Sequence, residues 1–327
     1  MIFFGGPHVF YKKIVFWAYL STFMGVFGHA TSEFFTVLSG LKGAEVSVWR
    51  FMVGGTALVI VSLSSKNSRN LLLPLREQPF RVLTLCIFGM TLAQLFFHWS
   101  LDYASVVQVA TIVTTMPILV VVFDGIINRA RITAPKMVSG FGALVGVSLL
   151  LTDGYLEQLK LGGGVIYGVI LALLCAIVGS LYLVLIRPVI NRYGAIRITT
   201  LTFALGAVAL WVTVGIFWDI WVDPTTLFER SSKAYFSILT LGIWNTCIGF
   251  ILWLWGLSAA PDIGRANYLF FLKPVIAAML AFFILNANIT YFQLFAIIMV
   301  CGCVVAELFY DQITVWWSNL RGKRISS

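Results

Sequence analysis

Arg50 and Lys273 are the two basic residues that fall inside apolar stretches of about 20 residues. An ionisable group at the centre of a bilayer costs roughly 3 kcal/mol on insertion scales, so each should face a partner or a wet cavity. Lys273 immediately precedes Pro274. A proline within a helix leaves the carbonyl four residues earlier without its usual donor, here near position 270. A lysine beside such a break can hold an anion or carboxylate, or it can pair with an acid such as Glu307 or Asp124. His29 and Glu33 are four residues apart and share a face of an uninterrupted helix. Glu33 lies at about the depth of Arg50, which suggests an ion pair. That pair could be a structural tie, an outer gate or part of a substrate site. Gln94 and His98 form a second such set, with Gln108 close enough in the next span to join. Asn245 and Asn267 add hydrogen-bonding capacity, and Tyr268, Phe271, Trp244 and Trp253 could supply an aromatic wall. Arg50, Lys273, Gln94, His98, Asn245, Asn267 and Tyr268 are therefore the candidate substrate-binding residues. His29, Glu33 and Glu307 are the candidates for gating or proton coupling.

Other chemistries lack their residues. His29 to Glu33 reads H-x-x-x-E rather than H-E-x-x-H, and no third metal ligand is in view. The five cysteines sit in apolar stretches without zinc-ligand or C-x-x-C spacing. No phosphate-binding glycine loop and no G-x-S-x-G elbow occurs, so neither nucleotide hydrolysis nor serine catalysis has support. No metal, no cofactor and no enzymatic activity is expected.

What positions these side chains is a membrane-spanning scaffold. The chain has 327 residues, 60% hydrophobic and 11% charged, where a soluble chain would carry about 25% charged residues. Ten apolar runs fit, at about 14–37, 45–64, 81–101, 105–127, 135–152, 163–187, 196–218, 234–257, 266–285 and 291–310. Backbone groups in lipid need internal partners, which makes the runs helices. The first run continues past Ala30 and is read as a span rather than a cleaved leader. With the N-terminus in the cytoplasm, 16 of the 22 Lys and Arg lie inside, four outside and two, Arg50 and Lys273, within spans. That bias sets both termini on the cytoplasmic side and accounts for the net charge of +9 as a topology signal, with no need of nucleic acid.

The sequence also repeats. Ala110–Thr133 aligns without a gap on Asn267–Thr290, placing Pro117 on Pro274, Ala130 on Ala287 and Thr133 on Thr290. Gly28, Gly43-Ala44 and Gly55 match Gly179, Gly194-Ala195 and Gly206 at one common offset. The expected organisation is a cytoplasmic segment 1–13, a first five-helix repeat 14–152, a connecting loop 153–162, a second repeat 163–310 and a basic cytoplasmic tail 311–327. Five is odd, so the second repeat is inverted, and inverted repeats can present one midplane site to either side in turn. Glycines and other small residues at every fourth position of span six read as helix-packing stripes within one chain, leaving monomer and homodimer both open.

Ten spans in two inverted halves, Arg50 early in span two, the breaks at Pro117 and Pro274, and the closing turns RARIT (129–133) and NANIT (286–290) together resemble the drug/metabolite transporter superfamily, in particular its EamA-type members. The resemblance covers nearly all of 14–310. The glutamate of the family's usual turn is replaced by Ala130 and Ala287. The resemblance implies a secondary or facilitative transporter working by alternating access, with the lipid bilayer and a small solute as partners and a proton or counter-substrate as coupling species. It further suggests an amino acid or related zwitterion, exported, and a location in the inner (plasma) membrane of a bacterium. An organic anion or phosphorylated metabolite held by Arg50 and Lys273 is the alternative solute. An intramembrane enzyme and a channel are the alternatives of another class.

Overall fold

A computed structural model of the chain describes residues 7–41, 43–153, 164–285, 288–310 and 312. Within them ten helices are long and apolar enough to cross a membrane. Spans one to five are Lys13–Thr36, Gly43–Ser64, Pro79–Ser100, Val106–Asn128 and Ala134–Thr152. Spans six to ten are Val165–Tyr193, Ala195–Trp218, Ser232–Ala259, Ile263–Leu280 and Tyr291–Leu308. No strand occurs among the described residues. The architecture is the expected all-helical one. Most of the connecting loop expected at 153–162 and of the basic tail from 311 falls outside the described residues, as do residues 1–6.

The packing obeys the exchange that a repeat demands. Span one runs along span eight and span six along span three, while span two packs on span seven and span five on span ten. Exchanging the halves turns the first contact into the second and leaves the other two in place. Two glycines allow spans two and seven to meet their neighbours closely. A Cβ on Gly54 would lie 2.5 Å from Thr246 Cγ2, and one on Gly206 would run into Thr91 Oγ1.

Local structure repeats as well. Ser105 caps span four by accepting from the Gln108 amide at 3.3 Å, and 157 residues later Asp262 caps span nine by accepting from the Arg265 amide at 2.9 Å. Spans three and eight each contain a widened turn, at Cys86–Thr91 and Leu241–Ile248. In both, a threonine hydroxyl reaches back five residues: Thr91 to the Cys86 carbonyl at 2.7 Å, and Thr246 to the Leu241 carbonyl at 2.8 Å. The threonines that precede spans five and ten differ. Thr290 accepts from the Gln293 amide at 3.1 Å, whereas Thr133 has the extended cap backbone but no side-chain bond.

Spans four and nine break at the repeated prolines, in a form that changes the expected chemistry. Span four divides into Val106–Val113 and Met116–Asn128, with Pro117 in the first turn of the second piece. Span nine runs Ile263–Asn267, tightens into a 3₁₀ turn at Tyr268–Phe271 and resumes at Leu272. A proline in a first helical turn lacks an amide that would have no intrahelical partner anyway. The Phe270 carbonyl, expected to be stranded, accepts from the Leu272 amide instead. The break repositions Lys273 without exposing that carbonyl.

Candidate functional site

Arg50 is 2% exposed in the middle of the bundle. Its Nε donates to Thr246 Oγ1 at 2.9 Å and its Nη1 to Gln94 Oε1 at 3.2 Å, and its guanidinium lies 5.9 Å from the centre of the Phe250 ring. The widened turn in span eight thus aims the Thr246 hydroxyl across the repeat boundary at a cation from span two. A cavity of about 50 Å³ opens beside this cluster, lined by Arg50, Gln94, His29, Trp253, Cys175 and Lys273 among others. Lys273 Nζ sits 5.4 Å from the Phe97 ring centre and 5.7 Å from that of Phe270, a cation held against aromatic faces. His29 stacks edge-on against Phe250 and Trp253, with ring centres 4.5 and 4.9 Å away. His29 Nε2 and Trp253 Nε1 are buried and make no hydrogen bond within the described residues.

The charges of this cavity are one-sided with respect to the repeat. At the offset of its own aligned stretch in each case, Lys273 matches Met116, which also lines the cavity, and Arg50 matches Leu201. Each cation comes from one half only.

The fold brings some candidates to the site and others elsewhere. Arg50, Gln94, Lys273 and His29 line one cavity. His98, fully buried one turn from Gln94, bonds the Ser47 hydroxyl at 2.7 Å through Nδ1, which ties span three to span two. Gln108 accepts from the Ser105 amide and hydroxyl at 3.0 and 3.1 Å as part of its helix cap, away from Gln94. Asn245 donates to the Gly28 carbonyl, and to Thr31 Oγ1 at 2.8 Å, while Trp244 donates to the same hydroxyl at 3.2 Å. These bonds brace a break in span one, where one helix ends at Ala30 and the next begins at Ser32. The break also removes the continuous helix on which a shared His29 and Glu33 face depended. The Glu33 side chain, and with it the expected Glu33–Arg50 pair, lies outside the described residues. Asn267 is fully buried with neither side-chain amide atom hydrogen-bonded among the described residues, and Tyr268 donates to the Lys136 carbonyl. Thr246, which neither residue type nor the repeat offsets single out, holds Arg50.

Above the cavity, toward the end of the bundle where spans one and five finish, lies an open vestibule of about 490 Å³. Its walls are apolar, with Phe34, Trp244, Ala277 and Leu280 prominent, and it shares Val113, Phe270 and Lys273 with the smaller cavity. The opposite end, where span one begins, is tied across the halves. Lys136 Nζ of span five meets Asp262 Oδ2 at 2.5 Å. Arg265 Nε lies 3.4 Å from Glu307 Oε1, and Ser139 donates to Glu307 Oε2 at 3.3 Å. Arg187 donates to the Ala260 carbonyl. Glu307 thus belongs to this tie rather than to Lys273, and Asp124 accepts from Asn128 at 2.7 Å. Burial on its own would raise the Asp262 carboxyl, but the Lys136 bond, the Arg265 amide and the two nearby cations outweigh it and hold the group below its ordinary value.

These features agree with comparisons to known proteins. The EamA-like transporter family matches twice, over residues 12–152 and 166–306. A chain called an uncharacterized transporter in Archaeoglobus fulgidus is 24% identical over 268 residues, covering 82% of this chain and 88% of its own. The uncharacterized transporter YyaM of Bacillus subtilis is 25% identical over 268 residues, covering 80% and 83%. A solved crystal structure superposes with a TM-score of 0.74 at 20% identity, covering 89% of this chain and 96% of the other, which shows a shared fold. Two family matches that together span most of the chain place it in the EamA-like transporter family.

Proposed function

We propose that this protein is a secondary or facilitative transporter that moves a small carboxylate-bearing metabolite, an amino acid or related zwitterion, by alternating access. The observation that carries the reading is the Arg50–Lys273 cavity: it adjoins a vestibule at one end of the bundle, while the Lys136–Asp262 ion pair and the Ser139–Glu307 bond tie the two halves at the other. Arg50, Gln94 and Lys273 would bind the carboxylate. The Lys136–Asp262 and Ser139–Glu307 pairs, the latter braced by Arg265, would form the closed gate. Given the bias of basic residues, that gate faces the cytoplasm and the vestibule faces outward, so export runs through a state in which these pairs part. The membrane is expected to be the bacterial inner membrane.

Reconstituted liposomes test this. A carrier shows saturable counterflow of labelled solute, whereas a channel shows flux that does not saturate. If Arg50→Ala and Lys273→Ala both leave the kinetics of an identified solute unchanged, the site assignment is wrong. A second reading, an organic-anion exchanger of the same fold, is favoured by the two cations on one cavity. It predicts trans-stimulation by dicarboxylates or phosphate esters and none by neutral amino acids.

A further inference from the structure

A polar cavity of about 50 Å³ around Arg50 adjoins the larger vestibule of about 490 Å³. We infer that the transported solute is amphiphilic, a monoanion whose carboxylate sits between Arg50 and Lys273 and whose aryl or branched alkyl arm lies in the vestibule beside Ala277 and Leu280. This rests on the carrier reading, keeping its carboxylate but dispensing with the ammonium group of a zwitterion.

Three observations converge on that division. Val113, Phe270 and Lys273 line both spaces, so the two meet at these side chains. Apolar walls gain from covering apolar surface, and a solute as small as serine would leave them against water. The polar groups gather at the inner end. Arg50 and Gln94 line that chamber, and His29 Nε2 and Trp253 Nε1, both buried and unbonded within the described residues, lie on its wall as further partners for a polar head. The cations come from one half each, and Met116 takes the place that matches Lys273. The head group is therefore held toward Arg50 and Lys273, and the arm points out along span nine.

The test uses the full chain in lipid nanodiscs and measures dissociation constants for acetate, phenylacetate, 3-phenylpropionate, 4-phenylbutyrate and the neutral 2-phenylethanol. Affinity should rise about three- to fourfold with each added methylene among the acids, the value expected for burying that group. Lys273→Gln should weaken every acid at least tenfold. Ala277→Phe, or Ala110→Leu on the facing span, should remove the gain from the arm while leaving acetate unchanged, which also shows that the variant is folded. A flat series in the unaltered protein overturns the inference. So does 2-phenylethanol binding as tightly as phenylacetate, or a gain that survives both wall substitutions, since the arm then sits elsewhere and the vestibule serves lipid or water. Counterflow separates this from the parent reading. Rising affinity without saturable counterflow of labelled 4-phenylbutyrate sinks the carrier alone. Saturable counterflow of labelled serine that 4-phenylbutyrate does not inhibit sinks the amphiphilic solute alone.

Discussion

The two ends of this bundle are closed by different physics, or not closed at all. Where span one begins, the halves are joined by polar contacts: Lys136 to Asp262, Ser139 to Glu307 and Tyr268 to the Lys136 carbonyl. Where span one ends, aromatic and aliphatic walls stand apart around the vestibule, and the Arg230–Glu45 pair at 2.7 Å involves no residue of its lining. Between them sits Arg50, fixed by a threonine from the other half. A polar latch has discrete partners and can be let go as a unit, while an apolar gap can close onto whatever fills it. The difference suggests which end opens on release and which end senses the load.

Five substitutions or conditions press on that contrast. The largest effect should come from Arg50→Leu, which gives position 50 the residue of its repeat counterpart. Losing a charge-assisted contact to the solute is expected to cost about 3 kcal/mol, roughly a hundredfold in binding. A binding isotherm for 4-phenylbutyrate, with Arg50→Lys as the milder comparison, reads it directly. Lys136→Met should come next. It leaves Asp262 without its cation in a site that is partly open, so about 2 kcal/mol is a better guide than the larger values for full burial. The latch should then favour its open form by about thirtyfold. Alkylation of Cys175, which lines the cavity, by an impermeant maleimide applied at the span-one starting side should speed up accordingly.

Gly54→Leu attacks the joint between the ends. A side chain there meets Thr246 and should lower stability by about 1–3 kcal/mol while loosening the hold on Arg50. Gly164→Ala, with nothing within 4 Å, is the control and should leave the melting temperature unmoved. Thr290→Val removes the cap of span ten and a 2.5 Å bond to Asp153 at the vestibule end, for about 1 kcal/mol in thermal unfolding. The smallest change should be with pH. The folded Asp262 carboxyl lies below its ordinary 3.8, so its stabilising pairing is present above that value and is lost only as pH falls through the lower folded one. Cys175 labelling from the latched side should therefore stay flat, as far as Asp262 governs it, between about pH 5 and 8. Asp262→Asn should raise it at every pH.

The scaffold was readable because apolar length and charge bias act over whole segments. Ten spans, the halving and the two proline breaks all follow from patterns of about 20 residues or more. The site was readable only in part, and the failures share a cause. Face arguments four residues apart assume an unbroken helix, and span one breaks at Thr31 between His29 and Glu33. Gln94 and His98 do share a face, but one turn of depth separates a cavity wall from a helix joint at Ser47. The widened turns in spans three and eight leave no hydrophobic signature, since an extra residue in a turn shifts the period only locally. No offset of the repeat pairs Thr91 with Thr246, so their shared role shows only in the two turns themselves, where Arg50 bonds one of them. Gln108 shows the converse: a polar residue near a candidate site is more simply explained by the helix start it caps.

The unlike construction of the two ends carries a consequence for how this protein should respond to its medium. Added electrolyte weakens attraction between partly exposed ions, and strongly hydrated anions such as sulfate favour the coming together of greasy surfaces. Both tendencies push in the same sense here, away from the shape with the ionic latch fastened and the vestibule wide. Ionic strength is thus expected to tilt the resting orientation of the empty protein without touching its binding residues.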